Sequence, residues 1–225
     1  FYSGLNLEAR MTDIFEQIGE TRPAVAVTES IPAAQVLQEV QFHQPDPHIW
    51  MDVGRWSLVS DAVLKTLSEL DPEGQATYTK NALAYRAQLK ELDDYVRQQI
   101  ARIPEEQRLL VTAHDAFQYY ADAYAIEVFA PQGITTQSEA SVEDIRRVIA
   151  LMVDRHIPAI FVESSVPPDI VEAIVEGAAA VGHKIVIGGQ LFSDAMGELG
   201  TPEGTYVGML RHNTDTIVKA LLGGS

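Results

Sequence analysis

With 225 residues, 46% of them hydrophobic, the chain has enough apolar material for one large core or two small ones, which excludes intrinsic disorder. Its 32 acidic and 16 basic side chains leave a formal charge of -16, a field that repels the phosphates of nucleic acid and of anionic lipid and favours small cations as ligands. There is no cysteine, so any metal must be held by His, Asp, Glu or backbone oxygen.

No apolar run approaches the ~20 residues that cross a bilayer. The chain starts at Phe1 with neither a charged leader nor an apolar signal segment, and so reads as a mature or trimmed product. Phe1, Tyr2 and Ser3 are placed at the end of a strand. Leu5, Leu7, Met11, Ile14, Phe15 and Ile18 then recur at helical spacing until Gly19. A short strand is expected over Ala24 to Val27, a weak apolar stretch over Ile31 to Val40, and a polar loop from Gln41 to His48. Asp52 is the expected N-cap of a helix running to Leu70.

From Asp71-Pro72-Glu73 to Ile103 the composition is rich in Ala, Leu, Gln, Lys, Arg and Glu, with Pro near the start and Pro104 just beyond the end. This predicts one long helix, able to serve as a spine between two lobes. Beyond it, short β-branched runs alternate with longer helical patterns. Leu109 to Thr112, Ile126 to Ala130, Ala159 to Val162 and Lys184 to Ile187 are predicted strands. Ala116 to Tyr124, Val142 to Arg155, Asp169 to Val181 and Tyr206 to Leu222 are predicted helices. Repeated βα units predict a parallel sheet covered on both faces, with ligands beyond the carboxyl ends of its strands. The expected organisation is an N-terminal lobe over 1–71, a linker helix over 72–103 and a C-terminal lobe over 104–225.

Three strand ends deliver functional groups to one rim. His114 follows Leu109 to Ala113, Glu163 follows Ala159 to Val162, and Asp194 follows the stretch from Ile185 to Ser193. These residue types serve equally as metal or substrate contacts and as helix caps or loop hydrogen bonds. His48 lies in Asp46-Pro47-His48-Ile49-Trp50-Met51-Asp52, where proline stiffens the loop and Asp46 is placed to orient the ring. Of the six histidines, His48 and His114 are the best ligand candidates. His43 lacks a rigid frame, His156 reads as a helix cap, His183 as a turn residue and His212 as surface. Gly188-Gly189 lacks the spacing and lysine of a phosphate cradle, Ser164-Ser165 lacks the frame of a nucleophile elbow, and Tyr119, Tyr120 and Tyr124 are expected to pack on the sheet.

Together, the Asp46–Asp52 segment, Val111-Thr112-Ala113-His114-Asp115-Ala116-Phe117, Phe161-Val162-Glu163-Ser164-Ser165 and Leu191-Phe192-Ser193-Asp194 resemble the TroA-like metal-binding proteins of bacterial ABC importers. The resemblance covers essentially the whole chain. It implies two Rossmann-like lobes with parallel sheets, joined by one long spine helix, with the metal site in the cleft between them. It also implies a monomeric receptor, periplasmic or lipid-anchored, that binds Mn²⁺ or Zn²⁺ and passes it to an ABC permease. Carried over by position, His48, His114 and Asp194 are metal ligands and Glu163 supports them from behind. The family's first histidine lies in a further Asp-Pro-His segment upstream, which implies a first lobe truncated at its start and a site short of one nitrogen donor. Members of that family devoted to zinc often carry a long His-rich loop before the Asp-Pro-His segment; Thr28 to Asp46 is short and holds only His43, so the resemblance implies manganese, with zinc next. Two alternatives remain: a receptor for a metal chelate such as a siderophore, which would favour arginines and aromatics, and a zinc-dependent hydrolase, for which no His-Glu-x-x-His helix exists.

Overall fold

A computed structural model describes residues 1–39, 44–136 and 140–223. The fold is mixed α/β, with parallel strand pairs and a long helix, and it forms two compact units, Phe1–Glu91 and Leu92–Ser225. No helix among the described residues is long and apolar enough to cross a membrane.

In the first unit the expected N-terminal helix is split into a 3-10 turn, Ala9–Met11, and helix α1, Thr12–Gly19. None of the residues of α1 is fully buried, and Met11 and Ile14 are exposed. The strand expected over 24–27 shrinks to a single parallel bridge between Tyr2 and Ala26, because a 3-10 turn already begins at Val27. Helix α2, Val53–Leu70, starts where the sequence places it. The carboxylate of Asp52 accepts hydrogen bonds from the main-chain N–H of Gly54 (2.7 Å) and Arg55 (3.1 Å) and pairs with the Arg55 guanidinium at 2.7 Å. Such a cap contributes about 1 kcal/mol to the helix start. Ile49, Met51 and Val53, all about fully buried, bring the segment after His48 into the core of this unit.

The long helix α3 is Gln75–Ile100, preceded by a 3-10 turn at Pro72–Gly74, and it contributes residues to both units. Leu83, Leu89, Leu92, Val96 and Ile100 recur at helical spacing along α3, and Leu89, Leu92, Val96 and Ile100 are at 1% exposure or less. Leu83 is the exception, at 61% exposed.

The second unit holds β1 (Leu109–Val111), α4 (Gln118–Tyr124), β2 (Glu127–Phe129), α5 (Val142–Asp154), β3 (Ala159–Glu163), α6 (Asp169–Ala180), β4 (Val186–Leu191) and α7 (Tyr206–Leu221). The pairing is parallel throughout, β1 with β2 and β3 with β4. Among the described residues a single hydrogen-bonded sheet is not formed. Two two-stranded ladders stand side by side, with β1 packed against β3. Nor are all strands covered. β1 is buried at every residue and β3 at all but one, whereas Val186 and Ile187 of β4 are nearly half exposed. The apolar side chains of β1 and β3, with Tyr119, Tyr120, Val171, Ile174, Leu210 and Ile217 from the helices, make the core; each such burial contributes roughly 1.5–3 kcal/mol.

Strand β4 starts later than expected and runs through Gly188-Gly189 to Leu191. The reason is the proximity of α7. A Cβ on Gly188 would meet Ala220 Cβ and Phe161 Cε1 at 2.7 Å, and one on Gly189, whose φ is +141°, would meet Thr216 Cγ2 at 2.6 Å. The glycine pair lets a strand lie where a side chain would block the helix, and the β3–β4 register shifts between Ile160 and Val162, which pair with Ile187 and Gln190.

Candidate metal centre

The end of β1 is continued by further main-chain bonds that fix where His114 stands. Thr112 N–H donates to Phe129 O (3.2 Å), Gln132 N–H to Ala113 O (3.2 Å) and Asp115 N–H to Gly133 O (3.3 Å), while Thr112 Oγ1 donates to the carbonyl of His114 (2.9 Å). The His114 side chain is completely buried.

Glu163, the last residue of β3 and 3% exposed, grips His114 from two sides. Its Oε1 accepts from the main-chain N–H of Ala113 (2.9 Å) and of His114 (2.8 Å), and its Oε2 lies 2.5 Å from His114 Nδ1. A carboxylate, rather than a backbone ladder, thus ties the end of β1 to the end of β3. With Nδ1 engaged in this way, Nε2 is the nitrogen that would ligate a cation once its proton is displaced.

On that side stands Asp194, its Oδ1 3.5 Å from His114 Nε2 and its side chain 28% exposed. Two ligands bound at about 2.1 Å to one tetrahedral ion lie roughly 3.4 Å apart. The loop carrying Asp194 is clamped by Asn213 of α7, which is fully buried: Phe192 N–H donates to Asn213 Oδ1 (2.9 Å) and Asn213 Nδ2 donates to Phe192 O (2.7 Å). Ser193 and Ser165 hydroxyls meet at 2.7 Å. Sequence reasoning misses Asn213; only a structure can pair it with a loop 21 residues away.

Burial alone would lower the pKa of His114, but the Asp194 and Glu163 hydrogen bonds and the charges of both carboxylates outweigh it and raise the value from 6.5 to about 10. The folded-state value lies above the unfolded one, so the stability this imidazolium gives the metal-free protein is fully present below about 6.5 and is lost as pH rises through about 10. A cation taking Nε2 must displace its proton. Between those pH values metal binding is therefore expected to release about one proton per ion, with affinity rising about ten-fold per pH unit. Calorimetry of Zn²⁺ binding in buffers of different ionisation enthalpy reads that proton; none released would contradict this protonation state.

In the first unit, His48 is built on the same plan. Asp46 Oδ1 accepts from the His48 main-chain N–H at 2.9 Å and sits 2.7 Å from its Nδ1, both side chains being about 2% exposed. The Trp50 ring meets the imidazole edge-on at 5.3 Å. Here too a carboxylate engages Nδ1.

The remaining histidines sort by contact. His156 caps α5, as expected, with Nδ1 on Val153 O at 2.9 Å. His183 follows the turn glycine Gly182 and reaches Ile157 O at 3.1 Å. His212 is not a plain surface residue: half-buried, it holds Gln190 O at 2.9 Å and packs edge-on against Phe192. His43 lies outside the described residues. The three tyrosines are buried as expected, Tyr120 with its hydroxyl on Thr214 at 2.9 Å. A groove of about 350 Å³ in the first unit, lined by Trp56, Val63, Leu67, Tyr78 and Tyr85 among others, offers no arginine and no acid, and so does not suit a charged metal chelate.

Residues 1–220 match the family described as ZnuA, zinc-uptake complex component A, periplasmic. The zinc-binding protein TroA of Treponema pallidum is 49% identical over 222 residues, 98% of this chain and 71% of that protein. The manganese-binding lipoprotein MntA of Bacillus subtilis is 44% identical over 220 residues, 98% of this chain and 72% of that protein. The solved structure of the periplasmic zinc-binding protein TroA from Treponema pallidum superposes with a TM-score of 0.94 at 48% identity, covering 98% of this chain and 79% of that one.

Proposed function

The chain belongs to the zinc-uptake component A family of metal-binding solute-binding proteins, which are receptors and not enzymes, and from that membership we propose that it captures Mn²⁺ or Zn²⁺ on His48, His114 and Asp194. It does so outside the cytoplasmic membrane, as a monomer, and hands the ion to an ABC permease. Residues 1–71 serve as the N-terminal lobe, 72–103 as the linker helix and 104–225 as the C-terminal lobe. Glu163 and Asp46 hold the two imidazoles in the tautomer that presents Nε2.

The observation that carries this reading is the Glu163–His114–Asp194 arrangement: a buried imidazole with Nδ1 on one carboxylate and Nε2 at 3.5 Å from another, a spacing suited to a shared cation. Imidazole with carboxylate suits both ions, and affinity alone favours zinc, so loading depends on supply as well as on the site. Elemental analysis of protein purified without chelator is expected to find about one manganese or zinc ion per chain, removed by dialysis against a strong chelator. Protein that stays metal-free after incubation with either ion would contradict the reading.

A further inference from the structure

A second pair of imidazoles lies in the Leu92–Ser225 unit, at the opposite strand ends from Glu163. His156 follows α5 and His183 follows α6, and their rings stand 6.4 Å apart at an interplanar angle of 31°. Each ring already has one nitrogen on a main-chain carbonyl, His156 Nδ1 on Val153 O (2.9 Å) and His183 Nε2 on Ile157 O (3.1 Å). A carbonyl can only accept, so each bond places the proton on that nitrogen and leaves a lone pair on the other, Nε2 of His156 and Nδ1 of His183. Among the described residues neither of those two atoms has a hydrogen-bond partner. This is the state in which histidines bind metal, with the far N–H held by a carbonyl. The helix cap and the turn account for one nitrogen of each ring and leave the other nitrogen of each of these neighbouring rings uncommitted.

We propose that His156 and His183 form an auxiliary site for a late divalent transition ion, Cu²⁺, Ni²⁺ or Zn²⁺, with water completing the coordination. An ion bound at 2.0–2.1 Å lies about 3.2 Å from the centre of each ring, so ring centres about 6.4 Å apart mark the widest spacing that one ion spans. His156 is exposed, so an ion and its waters can reach the ring while Nδ1 stays on Val153 O. Of the two cations next to the pair, Arg155 is paired with Glu127 at 2.5 Å and Lys184 is exposed to solvent, while the chain as a whole is strongly acidic. A pure imidazole pair ranks copper, nickel and zinc well above manganese, so this site is selective in a way that a carboxylate-bearing centre is not.

The test uses untagged protein carrying Asp194→Ala, titrated with Cu²⁺ while the histidine ring resonances are followed by NMR. The rings of His156 and His183 are expected to broaden together at the lowest Cu²⁺ additions. His156→Asn, which keeps a residue tolerant of the left-handed backbone, and His183→Gln should each lower that affinity by more than about ten-fold. The same titration with Mn²⁺ should leave both rings unaffected at equal concentration. Unchanged Cu²⁺ affinity in both variants, or broadening of one ring without the other, would overturn the proposal. Because the readout is the two rings themselves, its outcome is separate from whether His114 binds metal.

Discussion

Replacing His114 by alanine is expected to lower Zn²⁺ and Mn²⁺ affinity by well over a hundred-fold, since losing a direct ligand exceeds the ~10–100-fold typical of losing a group behind it. The sequence places this residue at a strand end with little part in the core, which would leave the fold untouched. The structure adds a stability cost. His114 is fully buried and its Nδ1 faces Glu163, so the variant strands a buried carboxylate. Breaking such a pair costs about 3–5 kcal/mol when nothing else satisfies the charge. Here Ala113 and His114 main-chain N–H groups still would, so a loss nearer about 1–3 kcal/mol is expected. Asp194→Ala separates the two effects, because its side chain is partly exposed: affinity should fall by a similar order, with a smaller loss of stability than in His114→Ala, limited to its contact with the imidazolium. Titration calorimetry beside thermal melts measures both. His114→Ala protein that is folded and binds Zn²⁺ as tightly as the parent would remove His114 from the ligand set.

How much of the fold and the site is legible in the sequence depends on whether the information is local. The run Leu109 to Ala113, with no polar interruption before Thr112, announces a buried strand, so the address of His114 can be read directly. Asp46 and His48 are two residues apart, and their hydrogen bond follows from the loop they share. Strand β4 is misplaced by sequence reasoning because Gly188-Gly189 looks like a turn when α7 is not there to require it. The Ala24 to Val27 stretch has strand composition, but among the described residues it makes only a bridge to one partner residue. Glu163 can be placed near the rim, whereas its grip on two main-chain N–H groups 49 and 50 residues away cannot. Asn213 and His212, which brace the Asp194 loop from α7, leave no local trace for the same reason.

Glu163→Gln tests whether the carboxylate sets the imidazole tautomer. Glutamine is nearly the same size, and its Oε1 can keep the bonds from Ala113 and His114 main-chain N–H, so the protein should fold with a modest loss of stability. Its amide nitrogen then occupies the place of Oε2, 2.5 Å from Nδ1 in the parent, and can only donate. The imidazole must accept at Nδ1 and carry its proton on Nε2, where the ion should bind. Affinity for Zn²⁺ is expected to fall about 10–100-fold, and the raised pKa of His114 should drop because one of the two carboxylates holding its proton is gone. Histidine ring NMR reports the tautomer and calorimetry the affinity. Glu163→Gln protein that binds Zn²⁺ like the parent would show that the tautomer is set by something else. The same variant bears on the hydrolase reading: neither parent nor variant should hydrolyse esters, peptides or phosphates with Zn²⁺ present, because Glu163 is committed to main-chain N–H groups and to the imidazole.

Two imidazoles whose Nδ1 atoms are held by carboxylates, His48 and His114, are proposed to ligate one ion together with Asp194. X-ray absorption at the zinc edge counts imidazole nitrogens around the bound metal, with Zn–N near 2.0–2.1 Å. His48→Ala protein loaded with Zn²⁺ is expected to lose one imidazole from the parent's count and to keep the carboxylate oxygen of Asp194. An unchanged imidazole count in that protein would remove His48 from the site and contradict the shared-ion arrangement.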